Sequence, residues 1–266
     1  MKKRKNVFGV CRVCSRKAEL TFEHVPPKST FNNNKFFYTT NVHPLLEKRN
    51  AKTFEELTTF DKSTAKKNQG GIGIHSLCGF CNNLFGTHYV RAYKEWIIQS
   101  MEFFKLESEI ERNRFEVTIQ PLNVLKQIIA MFFSINTKFS KLYPELKSYL
   151  LNKETNKLPE GVRVFVYYNF IGELRYESFK VVGKFDIKSE IIQATEITFP
   201  PMGYVLVLNG QNVDNRLHEI TFFSNYQLGE VVSIPQKLSI LPTHIKYILD
   251  YRTKEEIEQG LQRNFE

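Results

Sequence analysis

An α+β fold is predicted by three features of the chain: two Cys-x-x-Cys pairs confined to its first third, apolar helical periodicity through its middle, and a succession of β-branched and aromatic stretches punctuated by turn residues from Val162 onward. The pairs Cys11/Cys14 and Cys78/Cys81 use all four cysteines present. Each pair can grip a metal from a tight turn, and four thiolates complete a tetrahedral zinc shell with bonds of roughly 2.3 Å. Two redox disulfides, or four unrelated buried thiols, are the other readings of the same residues. A dithiol enzyme, however, carries one such motif on a thioredoxin-like βαβ unit, and none follows here. Structural Zn²⁺ held by Cys11, Cys14, Cys78 and Cys81 is therefore the expectation.

In chain order, Lys2-Lys-Arg-Lys5 is a basic arm and Val7 to Val10 a short strand. Ser15-Arg16-Lys17 turns the chain into a second strand, Leu20 to Val25, which Pro26-Pro27 stops by removing ladder donors. An insertion over about 31–67 is rich in Asn, Lys and Phe. Within it Phe36-Phe37-Tyr38 suggests a strand and Thr53-Phe-Glu-Glu56 a capping box opening a short helix, while His43, before Pro44, reads as structural. Ile72, Ile74 and Ser76-Leu77 mark the next strand, and Cys78-Gly-Phe-Cys81 turns it into a helix from Asn82 to about Leu106, loosened at Gly86, whose core stripe is Tyr89, Tyr93, Trp96 and Ile97.

A change of character near 107–120 divides a domain at 1–106 from an α+β accessory domain at 107–266 with an antiparallel sheet. That second part begins with a strand at Phe115 to Gln120. Pro121 then opens a helix through Ile135 that is apolar on most sides, hence buried or a subunit contact. A further helix is expected at Lys141 to Leu151, and strands at 162–170, 174–185, 191–199, 204–208, 219–223 and 231–234. Thr253-Lys-Glu-Glu256 caps a last helix. His218 and His244 belong to no cluster of ligand-type residues in this half and read as surface or packing residues.

Net charge is +9, and its distribution is one-sided. Through Lys105 there are 18 Lys and Arg against 8 Asp and Glu; beyond it, 19 against 20. A basic half favours a polyanion, because displaced counterions drive binding, so nucleic acid is the expected partner. The longest apolar segment, about Val124 to Ile135, is too short to span a bilayer, and Met1 to Lys5 leads into no apolar signal run. A cytoplasmic protein with reduced thiols and no membrane partner is expected. A homodimer or a regulatory partner would engage the second half.

The order Cys-x-x-Cys, Glu23-His24, Cys-x-x-Cys-Asn82 resembles the HNH nucleases of the His-metal finger superfamily in their zinc-stapled form, over about residues 8–95. The resemblance implies a ββα-metal fold with a four-cysteine zinc site and metal-dependent hydrolysis of phosphodiester bonds, most readily of DNA. In that reading His24 is the general base, and Glu23 and Asn82 hold a catalytic Mg²⁺ or Mn²⁺. Bacterial relatives with unfamiliar accessory domains suggest phage defence or mobile elements. Chemistry asks for the same residue types: imidazole titrates near ~6.5 and can take a proton from water, and a hard cation prefers carboxylate and amide oxygens. Lys28 stands close enough in sequence to meet a phosphate, and His88, six residues past Asn82, is a possible third ligand.

Three features depart from the family pattern. Glu replaces the commoner Asp or His at position 23. Gly73 stands where a middle Asn would steady the hairpin, leaving Asn68, Gln69 or His75 as stand-ins. Finally, 53 residues separate His24 from Cys78. The rival reading from another class is a non-catalytic zinc-stabilised module that binds nucleic acid or regulates a partner.

Overall fold

The computed structural model describes residues 6–33, 37–39, 51–58, 66–182 and 191–263. The basic arm and His43 lie outside the described residues. The chain is mixed helix and sheet, with its sheets antiparallel, as expected of an α+β fold.

Strand β1 (Val7–Val10) pairs with β2 (Lys17–His24), and β2 pairs on its other side with β5 (Gly73–Cys78). The first Cys-x-x-Cys makes the β1–β2 turn: Cys11 N–H donates to the Arg16 carbonyl and Ser15 N–H to the Cys11 carbonyl, both at 2.9 Å. Inside the insertion, β3 (Phe37–Thr39) pairs with β4 (Lys66–Asn68), and α1 (Phe54–Thr58) starts where Glu56 N–H donates to Thr53 Oγ1 at 3.1 Å.

The second Cys-x-x-Cys is itself the first turn of a helix. Helix α2 spans Gly79–His88 with Cys78 as its N-cap, three residues ahead of the expected start, because an i, i+3 spacing is close to one helical turn. The single helix expected to Leu106 is interrupted at Tyr89, not at Gly86. Helix α3 (Val90–Glu102) resumes it and a 3-10 turn at Phe103–Lys105 finishes it. The cause is a side chain inserted into the ladder: Asn123 Nδ2 donates to the His88 carbonyl at 2.7 Å, the oxygen that Ala92 N–H would otherwise use. Tyr89, Tyr93, Trp96 and Ile97 are buried, as their spacing predicts.

After α4 (Glu109–Asn113) and β6 (Glu116–Ile119) comes α5 (Pro121–Ile135), at its expected bounds. The helix expected over 141–151 divides into α6 (Phe139–Leu142) and α7 (Pro144–Leu151). Pro144 donates no N–H and drives Tyr143 out of the helical region, to φ −128° and ψ 68°. The five-stranded sheet runs β11-β7-β10-β9-β8, from β7 (Arg163–Tyr168), β8 (Arg175–Val182), β9 (Ile192–Phe199), β10 (Met202–Asn209) and β11 (His218–Glu219).

Two expected strands differ. The one at 219–223 stops after two residues, and a 3-10 turn at Thr221–Asn225 follows, with Thr221 Oγ1 accepting the Val164 N–H at 3.0 Å in place of a ladder carbonyl. The one at 231–234, β12 (Val232–Pro235), pairs with β6 and not with the main sheet. Helix α8 (Lys254–Arg263) opens on the predicted box, with Thr253 N–H donating to Glu256 Oε2 at 2.7 Å and Glu256 N–H to Thr253 Oγ1 at 3.3 Å.

Helix α5 is the hub. Every residue from Pro121 to Ser134 is buried, between β5, α2 and α3 on one side and β8, β9 and β10 on the other. Of the two fates its all-round apolar pattern allowed, it meets burial within its own chain. One apolar cluster runs from Leu77 and Trp96 through Phe132 to Val164, Ile197 and Leu206, crossing the 107–120 boundary. Polar ties cross it as well: Trp96 Nε1 donates to Gln236 Oε1 at 2.6 Å, Tyr93 bonds Tyr204, and Tyr176 OH donates to the Val25 carbonyl at 2.6 Å, one residue past His24. On the opposite face of the sheet a fully buried Arg175–Glu196 pair at 3.0 Å sits among Tyr167 and Tyr251.

Candidate active site

Glu23 and His24 close β2, facing Ile74 and Gly73 of β5. Thr21 and Glu23 turn toward α2, and the Phe22 and His24 rings meet edge-on at 5.1 Å. Asn82 comes from the first turn of α2. Its Nδ2 donates to Thr21 Oγ1 at 3.0 Å, and Thr21 Oγ1 in turn lies 2.9 Å from Glu23 Oε1 and 3.0 Å from the Leu77 carbonyl, its one proton serving one of them at a time. Thr21 thus couples the carboxylate to the amide, a role no sequence signal marked. Glu23 Oε2 and Asn82 Oδ1 accept no hydrogen bond from any described residue, so two oxygen acceptors remain for a cation. Burial raises the Glu23 carboxyl above its ordinary range, against the lowering by Thr21 and then His24.

His24 Nε2 lies 2.9 Å from the Gly70 carbonyl. A carbonyl only accepts, so Nε2 carries the proton and Nδ1 is left as the basic nitrogen. The loop that supplies Gly70 is braced by Asn32, at the start of the Asn-rich insertion. Asn32 is fully buried; its Oδ1 accepts the Ile72 N–H, and its Nδ2 reaches the Pro26 and Ile72 carbonyls, each at 2.7 Å. Of the expected stand-ins, Gln69 is exposed, His75 packs edge-on against Phe22, and Asn68 is a backbone partner of Phe37. Position 73 excludes a side chain altogether, since a Cβ there would run into the Glu23 carbonyl.

The four sulfurs converge. All lie within 4.8 Å of one another, and Cys14 Sγ and Cys78 Sγ are 3.6 Å apart. A tetrahedron with arms of about 2.3 Å has edges of roughly 3.8 Å, so this set fits one four-coordinate ion. Cys78 and Cys81 lie at a helix N-terminus, but burial raises the Cys78 thiol above its ordinary value. The Cys81 thiol, followed by backbone N–H groups of Cys78, Cys14 and Val13, holds Cys11 down at about 4, while Cys81 is pushed up by its bond to Cys11 and by burial. Neighbouring sulfurs lending one another protons in this way form a ligand set suited to a cation.

Glu23, His24, Lys28 and Asn82 line one cleft of about 180 Å³, walled on its far side by α5. Lys28 is exposed at this cleft. His75 and His88 are not among its lining residues; the His88 ring lies beside Tyr89 instead. His218 is partly buried on β11, where desolvation lowers its pKa, and His244 is a packing residue, meeting Phe54 of α1 edge-on at 5.0 Å. Among the described residues no helix is long and apolar enough to cross a membrane. No protein-family model, curated protein or solved structure matches the chain.

Proposed function

We propose that this protein is a metal-dependent HNH-type endonuclease, its β2–β5 hairpin and α2 forming the ββα unit and its four cysteines holding a structural zinc. The observation that carries the reading is that Glu23, His24 and Asn82, drawn from the two ends of a long insertion, line one cleft beside the cysteine cluster. The one-sided positive charge of the first 105 residues supports a nucleic acid as substrate, DNA before RNA.

In this reading His24 Nδ1 takes a proton from water as the water oxygen bonds to phosphorus and the 3′ oxygen departs. The Gly70 carbonyl keeps the imidazole in the tautomer that can do so. Glu23 Oε2 and Asn82 Oδ1 would hold Mg²⁺ or Mn²⁺, and Thr21 fixes both side chains. A divalent ion so held supplies positive charge to the phosphoryl group and to the leaving oxygen.

The test is cleavage of plasmid and labelled oligonucleotides with Mg²⁺ or Mn²⁺ by wild type, His24→Ala and Asn82→Ala. Wild type should cut, and His24→Ala should lose about 10²- to 10⁴-fold in rate. Wild type and His24→Ala binding DNA while neither cuts it would establish the non-catalytic zinc module instead. Equal cutting by both would remove His24 as the base.

A further inference from the structure

Glu23 and His24 are the last two residues of β2, where the ladder gives out. Val25 N–H still donates to the Ile72 carbonyl at 3.0 Å, but Pro26 and Pro27 offer no N–H, so the chain beyond His24 is held through its carbonyls. Three in a row are taken. Asn32 Nδ2 donates to the Pro26 carbonyl at 2.7 Å, Thr30 N–H and Oγ1 donate to that of Pro27 at 2.9 and 2.7 Å, and Tyr176 OH donates to that of Val25 at 2.6 Å. Thr30 and Asn32 lie a few residues further along the same segment. Tyr176 comes instead from β8, the edge strand of the five-stranded sheet, and so brings the second half of the chain to the end of β2. Its own anchorage is firm, because the residue before it, Arg175, is fully buried, paired with Glu196 and bonded to the Ile245 carbonyl at 2.7 Å. Burial, and then the nearby Tyr93, holds the Tyr176 phenol well above its ordinary pKa, so the hydroxyl stays a donor.

We propose that Tyr176 is a positioning residue of the nuclease: its hydroxyl pins the end of β2 and so keeps the His24 imidazole in place at the cleft, with Nε2 on the Gly70 carbonyl. The proposal rests on the nuclease reading above. It gives the second half of the chain a part in the reaction, because the base stands where a strand of that half sets it. A misplacement of about 1 Å is enough to lower a rate on the order of 10²-fold.

The experiment compares wild type with Tyr176→Phe, which deletes one oxygen and keeps the ring, in cutting of a labelled oligonucleotide with Mn²⁺ and in NMR of the full chain carrying isotope-labelled histidine. Tyr176→Phe should lose about 10- to 100-fold in kcat with KM within about twofold. Its His24 ring-nitrogen resonances should move, while those of His218, on β11 at the opposite edge of the sheet, stay in place. Unchanged kcat, a loss confined to KM, His24 resonances that coincide with wild type, or a shift of both histidines each overturn the positioning role and leave the nuclease reading standing. Should wild type cut nothing, the nuclease reading fails, and the NMR comparison still decides whether Tyr176 holds His24, unmoved resonances overturning that as well. Tyr176→Met, which fills similar space without a donor, gives the same readings if the first variant does not fold.

Discussion

Single side chains brace this site more than regular structure does, and two of the important ones were invisible in sequence. Asn32 lies in a run of three asparagines, and nothing local distinguishes it from its neighbours. Its three hydrogen bonds stitch the Pro26 turn to the Ile72 strand entry. Asn32→Ala strands the Ile72 N–H and the Pro26 carbonyl, while the Ile72 carbonyl keeps the Val25 N–H, so urea unfolding should show a loss of about 2–3 kcal/mol; a loss below about 0.5 would remove Asn32 as the brace. The cysteines, by contrast, were legible, because the spacing of a metal knuckle is itself a geometric statement. Cys81→Ser should reduce bound metal, measured by elemental analysis, from one ion per chain to nearly none, and lower Tm by about 10 °C, since a structural ion contributes directly to folding. His218 gives a pH dependence. Burial lowers its folded pKa below the ordinary value of about 6.5, so as pH falls below that the unfolded chain takes up the proton first and stability declines toward the folded pKa. Chemical denaturation at pH 7.5 and 5.5 should find a smaller acid loss in His218→Gln.

At the level of elements, those with strong local punctuation were foreseen. Pro121 at N1 and an apolar run delimited α5, and the Thr253–Glu256 box delimited the start of α8. What failed was decided by distant partners. The helix break at Tyr89 depends on Asn123, more than thirty residues away, and β12 leaves the main sheet because its backbone partner is β6, over a hundred residues upstream. Periodicity describes a segment's own faces and carries no record of which distant group will take a carbonyl. Phe132 of α5 is fully buried in the shared cluster. Phe132→Ala should therefore cost about 3–5 kcal/mol in equilibrium unfolding, and a change under 1 kcal/mol would show that α5 is not the hub.

Across the whole molecule, the composition boundary near 107–120 does not interrupt the core. Trp96 is hydrogen-bonded to Gln236, Tyr93 to Tyr204, and Tyr176 reaches the backbone beside His24. Residues 1–106 produced alone would expose Leu77, Tyr93, Trp96 and Ile97, all buried in the full chain. That fragment, loaded with metal, should lack a cooperative thermal transition and bind a hydrophobic dye; a sharp transition near that of the full chain would show the first part to be an independent unit. The sequence by itself determined the two Cys-x-x-Cys pairs, the adjacency of Glu23 and His24, the basic character of the first half and most of the strands and helices, because these are matters of spacing and composition along the chain. Only the tertiary structure decided that Asn32 and Thr21 hold the site in shape and that α5 walls the cleft. Those depend on which side chains long-range packing brings together, and such contacts leave no mark in the spacing of neighbouring residues.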